Sequence, residues 1–496
     1  VIQYSSEVVD GMKKLLTGIS LCILVAAQAQ PNILKACWKK QVMPLNENYL
    51  LINFNEDLNK LEHSFEPWQQ TLYKKHGSIA FNAFCFQKAD TMTRAEGKKP
   101  YYSKLQLSPT ELLWINYGDK ELSPITQGEF LEQTFKTARY SPQLLIQYFI
   151  NQKIEPTPEK NPDFILYTTQ ISETRVKLFI GKTDKLLHRV TTLEHDDLFG
   201  DVTTTYLYEN YKSLGKLYYP QHIKVEKING HVTDEINIVS AELIPEPPNL
   251  IKKPANFAFI EPEKILPEVS VEKYGPHIYL VNLAHTNDRA LIVEFNEFFL
   301  VAEAPLNSEN GELIIEEVKK IAPDKPIRYF VFGHYHPHYL GGIRAFIHQG
   351  ARIICTQADE EYVTYLAQAP HTLQPDSLQL EPQPLQFEEV KDSLVIGDEN
   401  FQMKIYFIGN KSAHTNDYLI YYFPTEKLLF EDDLVWIPKE KPAKESPPGE
   451  RQIGLYNAIQ ELQLDVNTII QSWPVKDYGV LTIIPMETLK KSIPKK

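Results

Sequence analysis

Three histidines, His334, His336 and His338, fall inside the stretch 329–342, which reads YFVFGHYHPHYLGG. Imidazole is a common metal ligand, and histidines at i and i+2 in an extended loop can aim two rings at one centre. The apolar residues 327–332 ahead of them predict a strand buried on both faces. Gly341 and Gly342 follow, which lets the backbone approach closely and turn into a helix. The loop at the carboxyl end of a buried strand is where open α/β sheets place their chemistry. The residue types and their spacing therefore point to a metal site.

The elements that position this loop lie in the C-terminal half. Strands are expected over 277–283, 290–293, 298–302, 327–332 and 351–355, and helices over 311–321, 342–349 and 359–368. Alternation of this kind implies an α/β architecture. Further strands are expected over 393–396, 402–408, 419–423, 427–430 and 468–471, with helices over 457–462 and 486–491.

With these elements in place, the half from residue 271 onward resembles the metallo-β-lactamase superfamily. Its signature is H-x-H-x-D-H followed closely by Gly-Gly. His334 and His336 match the first two histidines, and Gly341 and Gly342 the glycines. The segment 409–417 (GNKSAHTND) resembles the one carrying the third histidine, which gives that role to His414. The segment 429–434 (LFEDDL) resembles the one carrying the metal-bridging aspartate, which gives that role to Asp433. Glu303-Ala304-Pro305 stands where many members have an Asp-Thr-Gly turn. The resemblance implies a four-layer αβ/βα sandwich with metal ligands along one edge. Three positions depart from the pattern. His338 replaces the motif's aspartate and Tyr339 its last histidine, and the late region 471–479 (QSWPVKDYG) has no histidine. In the family these positions build the second metal site, so a degenerate second site is expected.

The first half has a different rhythm. Residues 33–77 read as mostly helical, with a turn at Glu66-Pro67-Trp68. From 78 to 243 apolar and polar residues alternate in short runs. The breaks fall at Gly118-Asp119, Gly181-Lys182, Phe199-Gly200 and Asn229-Gly230. That pattern predicts antiparallel hairpins, with a helical insertion over 127–152. It loosely resembles exported lipoprotein-carrier-like domains. His195-Asp196-Asp197 has no partner ligands at a recognisable spacing and reads as a charged loop. Residues 244–269 hold Pro245, Pro247, Pro248, Pro254, Pro262 and Pro267, a density that favours extended, semi-rigid chain.

Met12-Lys13-Lys14, the apolar run 15–25 and Ala27-Gln28-Ala29 have the order of a secretory leader, with cleavage before Gln30. Its apolar core is too short for a comfortable membrane span. Residues 1–11 read as upstream of a natural start at Met12. Cys22 is not a lipid-attachment site, because Leu21 stands where a small residue is wanted. Cys37, Cys85 and Cys355 remain, too few for a disulfide framework, although Cys37 and Cys85 share a region and could pair. The expected organisation is a leader over 1–29, a mostly antiparallel β-rich domain with helical insertions over 30–243, a linker over 244–270 and the metallo-β-lactamase-like domain over 271–496.

The formal net charge of −13 disfavours a grip on nucleic acid, which needs a basic patch. Lys411 reads as a solvated lysine near His414. The expected metal ligands are His334, His336, His414 and Asp433, with His338 as a further candidate. Three imidazoles with an open fourth position suit one catalytic zinc ion, which can lower the pKa of its water to about 7. Two histidines with Asp433 would instead suit iron and redox chemistry. The expected protein is an exported, periplasmic or secreted metal-dependent hydrolase acting on a small molecule, without stable membrane insertion. An iron oxidoreductase and a non-catalytic binding relative are the alternatives.

Overall fold

The computed structural model describes residues 31–61, 63–94, 101–107, 112–117, 120–124, 135–247, 250, 254–260, 266–440 and 447–494. Residues 1–30 with the expected leader and Cys22, the break at Gly118-Asp119, positions 127–134 of the expected insertion, and Pro248 and Pro262 lie outside them. The chain divides into two compact units. The first takes its described residues from the chain up to Lys60, from 70–194 and from 202–262. The second comprises Leu61–Gln69, His195–Asp201 and the chain from 263 onward.

The first unit is built on a 13-stranded sheet. Strands Tyr49–Leu61 and Val232–Ile244 meet at its middle, antiparallel, with Ile52 opposite Ala241. Leu50, Ile52 and Phe54 are buried while Asn53 and Asn55 are exposed, the period of two that a half-buried strand requires. Helices Pro31–Gln41 and Gln143–Asn151 contribute Leu34, Cys37, Leu145 and Phe149 to the core on that sheet. The helical expectation for 33–77 thus holds only over Pro31–Gln41. Strands Tyr49–Leu61 and Gln70–Phe81 fill most of the rest. Asparagine and leucine in the first of them obscured its alternation, and pairing with Val232–Ile244 decided its state. The expected turn at Asn229-Gly230 joins the antiparallel strands Leu217–Lys227 and Val232–Ile244. Cys37, Cys85 and Cys355 are free thiols.

The second unit has a seven-stranded and a six-stranded sheet. In the first, Phe299–Ala302, Ile327–Val331, Arg352–Cys355 and Phe387–Glu389 run parallel. Strand Ile327–Val331 is buried on both faces towards its end, as its apolar run implied. Val331 joins a core that also takes Leu280 and Leu300 from its own sheet and Ile405, Tyr421 and Phe430 from the other. Phe330 points the opposite way and stacks on Phe346 of helix Ile343–His348 at 4.4 Å. The far face of the six-stranded sheet packs on helices Glu450–Glu461 and Met486–Ser492 through Leu455, Ile459 and Leu489. Among the described residues no helix is long and apolar enough to cross a membrane.

Candidate metal centre

Strand Ile327–Val331 delivers the chain to Gly333, where a side chain is excluded. A Cβ there would stand 2.2 Å from an Asp432 carboxylate oxygen. The Gly333 carbonyl accepts from Leu419 N at 2.7 Å, which ties the loop to a strand of the six-stranded sheet. His334 and His336 follow, and Pro337 begins the short helix Pro337–Leu340. Gly341 then lies against the Leu306 backbone, which a Cβ would approach to 2.4 Å. These contacts explain the glycines flanking the histidines.

His414 arrives from another part of the chain. It follows Ala413, which takes a left-handed φ of 53°. The Ser412 hydroxyl accepts from His414 N at 3.1 Å and fixes that turn. The three rings converge. One ligand nitrogen from each of His334, His336 and His414 lies within 4.8 Å of the others, and all three side chains are buried. Among the described residues this is the one such group of three or more histidine, cysteine or carboxylate ligands.

The hydrogen bonds around the triad fix which nitrogens face inward. His336 Nε2 donates to Ser64 O at 3.0 Å, since a carbonyl can only accept. His336 Nδ1 is therefore a lone pair, 2.8 Å from His334 Nε2. His334 Nδ1 lies 2.7 Å from Asp432 Oδ2. At that spacing His334 Nε2 donates to His336 Nδ1 in the metal-free chain; moving the His334 proton to Nδ1, against Asp432, frees both facing nitrogens as lone pairs, as a metal ion requires. Burial holds His334 well below the ordinary imidazole range, with the charges of His336 and His414 adding to it. Burial pushes His336 down to about 3. Both rings are thus neutral, the form that ligates. The buried His414 Nε2 lies 3.2 Å from Asp433 Oδ2 but makes no well-directed hydrogen bond. Three converging imidazoles, with an unsatisfied buried nitrogen on His414, fit zinc well.

Three carboxylates crowd behind the rings. Glu303 accepts from Tyr421 OH at 2.7 Å and from Gly333 N at 3.1 Å, and it hydrogen-bonds Asp432. Burial pushes Glu303 up to about 8 and Glu431 likewise to about 8. Asp432 is raised well above the usual carboxylate range by burial, then by the charges of Glu303, Asp433 and Glu431. Tyr418 stacks on His334 at 4.8 Å, and its hydroxyl accepts from the backbone N of Asp432 and of Asp433 at 3.1 Å. Asp433 behaves differently from its neighbours. Burial would raise it, but His414 and Arg451 outweigh that and hold it low.

The structure brings four of the five expected residues together: the three triad histidines and, beside His414, Asp433. His338 lies outside that group of three, with its Nδ1 3.0 Å from Asp288 Oδ1. Burial lowers the His338 pKa, and the bond to Asp288 more than reverses that. Lys411 pairs with Glu461 at 2.5 Å and is mostly exposed. A cleft of about 230 Å³ opens beside the triad, lined by His63, His336, His338, Tyr339, Asp433, Arg451 and Trp473. His63, whose ring lies 4.7 Å from that of His336, carried no sequence signal, because nothing near it in the chain marks it. Asp432, as the partner of His334, and Glu303, as the partner of Asp432, were also missed, although both segments had drawn attention.

No family model matches this chain, and no curated protein matches it. Solved structures similar to it include metallo-beta-lactamases and flavo di-iron proteins. The DIM-1 metallo-beta-lactamase is similar at 15% identity, with 46% of this chain and 95% of that chain covered and a TM-score of 0.33. A metallo-beta-lactamase from Pontibacter korlensis is similar at 18% identity, with 45% and 96% covered and a TM-score of 0.32. A flavo di-iron protein from Thermotoga maritima is similar at 15% identity, with 47% and 64% covered and a TM-score of 0.32.

Proposed function

We propose that this chain is an exported metal-dependent hydrolase of the metallo-β-lactamase fold, holding one zinc ion on His334, His336 and His414. The reading includes a four-layer αβ/βα sandwich for residues 271–496, preceded by the β-rich domain and the proline-rich linker. The convergence of three buried imidazoles, with His334 and His336 held neutral, carries it. A zinc ion held there supplies a Lewis acid and a water of lowered pKa.

The chain's own groups have separate tasks. Asp432 and Glu303 behind His334 fix the ring's orientation. Asp433, kept ionised, is the carboxylate at the cleft that can accept a proton from an attacking water. Arg451 donates to Asp433 Oδ2 at 3.1 Å and holds it in place. His63 and His338 line the mouth, where a small-molecule substrate would enter. Export rests on the leader-like residues 12–29 and places the protein in the periplasm or outside the cell. The acidic balance argues against a nucleic-acid partner. A second reading, iron and redox chemistry, is supported by the carboxylate of Asp433 beside His414.

Elemental analysis tests both readings. The chain from Gln30 to Lys496 is compared with its His334→Ala/His336→Ala variant. Loss of about one zinc ion per chain supports the hydrolase, and loss of iron supports the redox enzyme. Equal metal content in the two proteins, after incubation with zinc or iron, would overturn both.

A further inference from the structure

A second pair of histidines lies in the same unit, outside the triad. His195, on the segment His195–Asp201, and His371 face one another with ring centroids 5.6 Å apart and planes at 70°. The backbone around them is fixed. Asp201 N donates to Pro370 O at 2.6 Å, and the Asp201 carboxylate accepts from Thr372 N at 3.0 Å and Leu373 N at 3.1 Å. His371 N donates to Gln379 Oε1 at 2.8 Å. The two imidazoles are thus held against each other by bonds that do not involve their rings.

Each ring leaves a buried nitrogen without a hydrogen-bond partner, Nδ1 of His195 and Nε2 of His371. His371 is only 2% exposed. Gly200, at a φ of +70°, lies against this ring: a Cβ there would stand 2.9 Å from His371 Nε2. Both rings line a cleft of about 210 Å³ with Asp197, Glu309 and Asp376. Asp376 is already engaged by Arg344 at 2.6 Å and by Ser308 at 2.8 Å. Asp197 stands at the rim, 68% exposed, with Oδ1 3.5 Å from His195 Nε2. A buried polar atom left unmade costs free energy, and two such atoms on facing rings call for a partner.

Geometry says what that partner can be. Two imidazoles binding one ion at ~2.0–2.1 Å, at bond angles from tetrahedral to linear, set their centroids roughly 5.2–6.4 Å apart. The observed spacing lies in that range. Imidazole nitrogen suits the late divalent ions, zinc, copper and nickel. Burial, then the charge of Arg344, pushes His371 down to about 4, so the ring is neutral near pH 7 and able to ligate.

We propose that His195 Nδ1 and His371 Nε2 form a second, two-imidazole site for a divalent transition-metal ion, separate from the triad, with water and the rim carboxylates completing the coordination. The site joins segment His195–Asp201 to the chain around residue 371 and has no part in the chemistry of the triad. Having two imidazoles where the triad has three, it fills after the triad.

The test uses copper(II) as the probe in the full chain carrying His334→Ala/His336→Ala, which removes the triad. Electron paramagnetic resonance is expected to show a bound copper ion coupled to two nitrogens. Adding His195→Ala/His371→Ala is expected to abolish that signal and lower bound copper by one equivalent, with circular dichroism unchanged. His371→Gln keeps a polar side chain of similar size and is expected to leave coupling to one nitrogen. Two-nitrogen coupling that persists without His195 and His371, or its absence while they are intact, would overturn the site. The result is independent of the triad, because zinc at the triad is scored separately by His334→Ala/His336→Ala in a chain that keeps His195 and His371.

Discussion

In the β-rich unit, buried charges meet charges of opposite sign. Arg139 Nε donates to Glu56 Oε1 at 2.6 Å, and its guanidinium also pairs with Asp234. Lys75 lies 3.2 Å from Asp90 and 3.7 Å from Glu56, and Lys227 lies 2.8 Å from Asp234. Behind the triad the pattern is reversed. Glu303, Glu431 and Asp432 are buried together, and among the described residues none pairs with a lysine or arginine. Burial of charge costs several kcal/mol per ion unless it is paired. The first cluster is complete as it stands and reads as structural. The second relies on protons in the metal-free chain and is suited to a cation placed nearby. How buried charges are balanced, more than their number, separates a scaffold from a site.

The most direct way to break this contrast is to unpair the first cluster. Arg139→Met leaves Glu56 and Asp234 buried beside one cation fewer. It is expected to cost about 3–5 kcal/mol, seen as a lower denaturation midpoint. A midpoint unchanged by Arg139→Met would show that the cluster is not what holds this unit.

Acidity sharpens the contrast, because the two clusters have opposite signs. Glu56 is held below its ordinary 4.5, as Arg139 and Lys75 outweigh burial. Its contribution is fully present above the unfolded value and is lost as pH falls through the lower folded value. Glu303 is raised from 4.5 to about 8, so the folded chain keeps a proton that the unfolded chain releases. Its contribution therefore falls as pH rises from about 4.5 to about 8. Calorimetry of chelator-treated protein should show the second unit weakening over that window and the first weakening only in acid. Parallel responses would refute the contrast. Metal binding should also release protons near the triad, measurable as buffer-dependent heat.

Asp432→Asn tests the carboxylates directly. It keeps the shape but removes the carboxyl group that can ionise behind His334 when a metal binds, and is expected to weaken zinc binding about 10–100-fold. An unchanged affinity would mean that His334 is oriented by Tyr418 and packing alone. The smallest effect belongs to the surface. Lys74 lies 2.7 Å from Asp57, with both side chains about half exposed. Lys74→Ala is expected to cost less than about 1 kcal/mol in denaturant titration, against the larger loss at Arg139.

Much of this was legible in order along the chain. The apolar run before Gly333, the spacing of His334 and His336, and the glycines at 341 and 342 are short-range features. Each depends on period and reach within a few residues, so sequence states them directly. His414 and Asp433 were placed by resemblance, and the fold brought both beside the first pair. The strand Tyr49–Leu61 was misjudged because its partner Val232–Ile244 lies far along the chain, and pairing decided its state. His338 shares the spacing of the ligand histidines, but only the fold shows that its Nδ1 meets Asp288.

The sequence alone determined which residue types can bind a metal here and where the chain turns, because spacing and backbone freedom are local properties. Only the tertiary structure decided that Asp432 backs His334, that Ser64 fixes the tautomer of His336, and that His195 meets His371. Those pairings join residues far apart in the chain, and side-chain direction and burial are settled only once the sheets have packed.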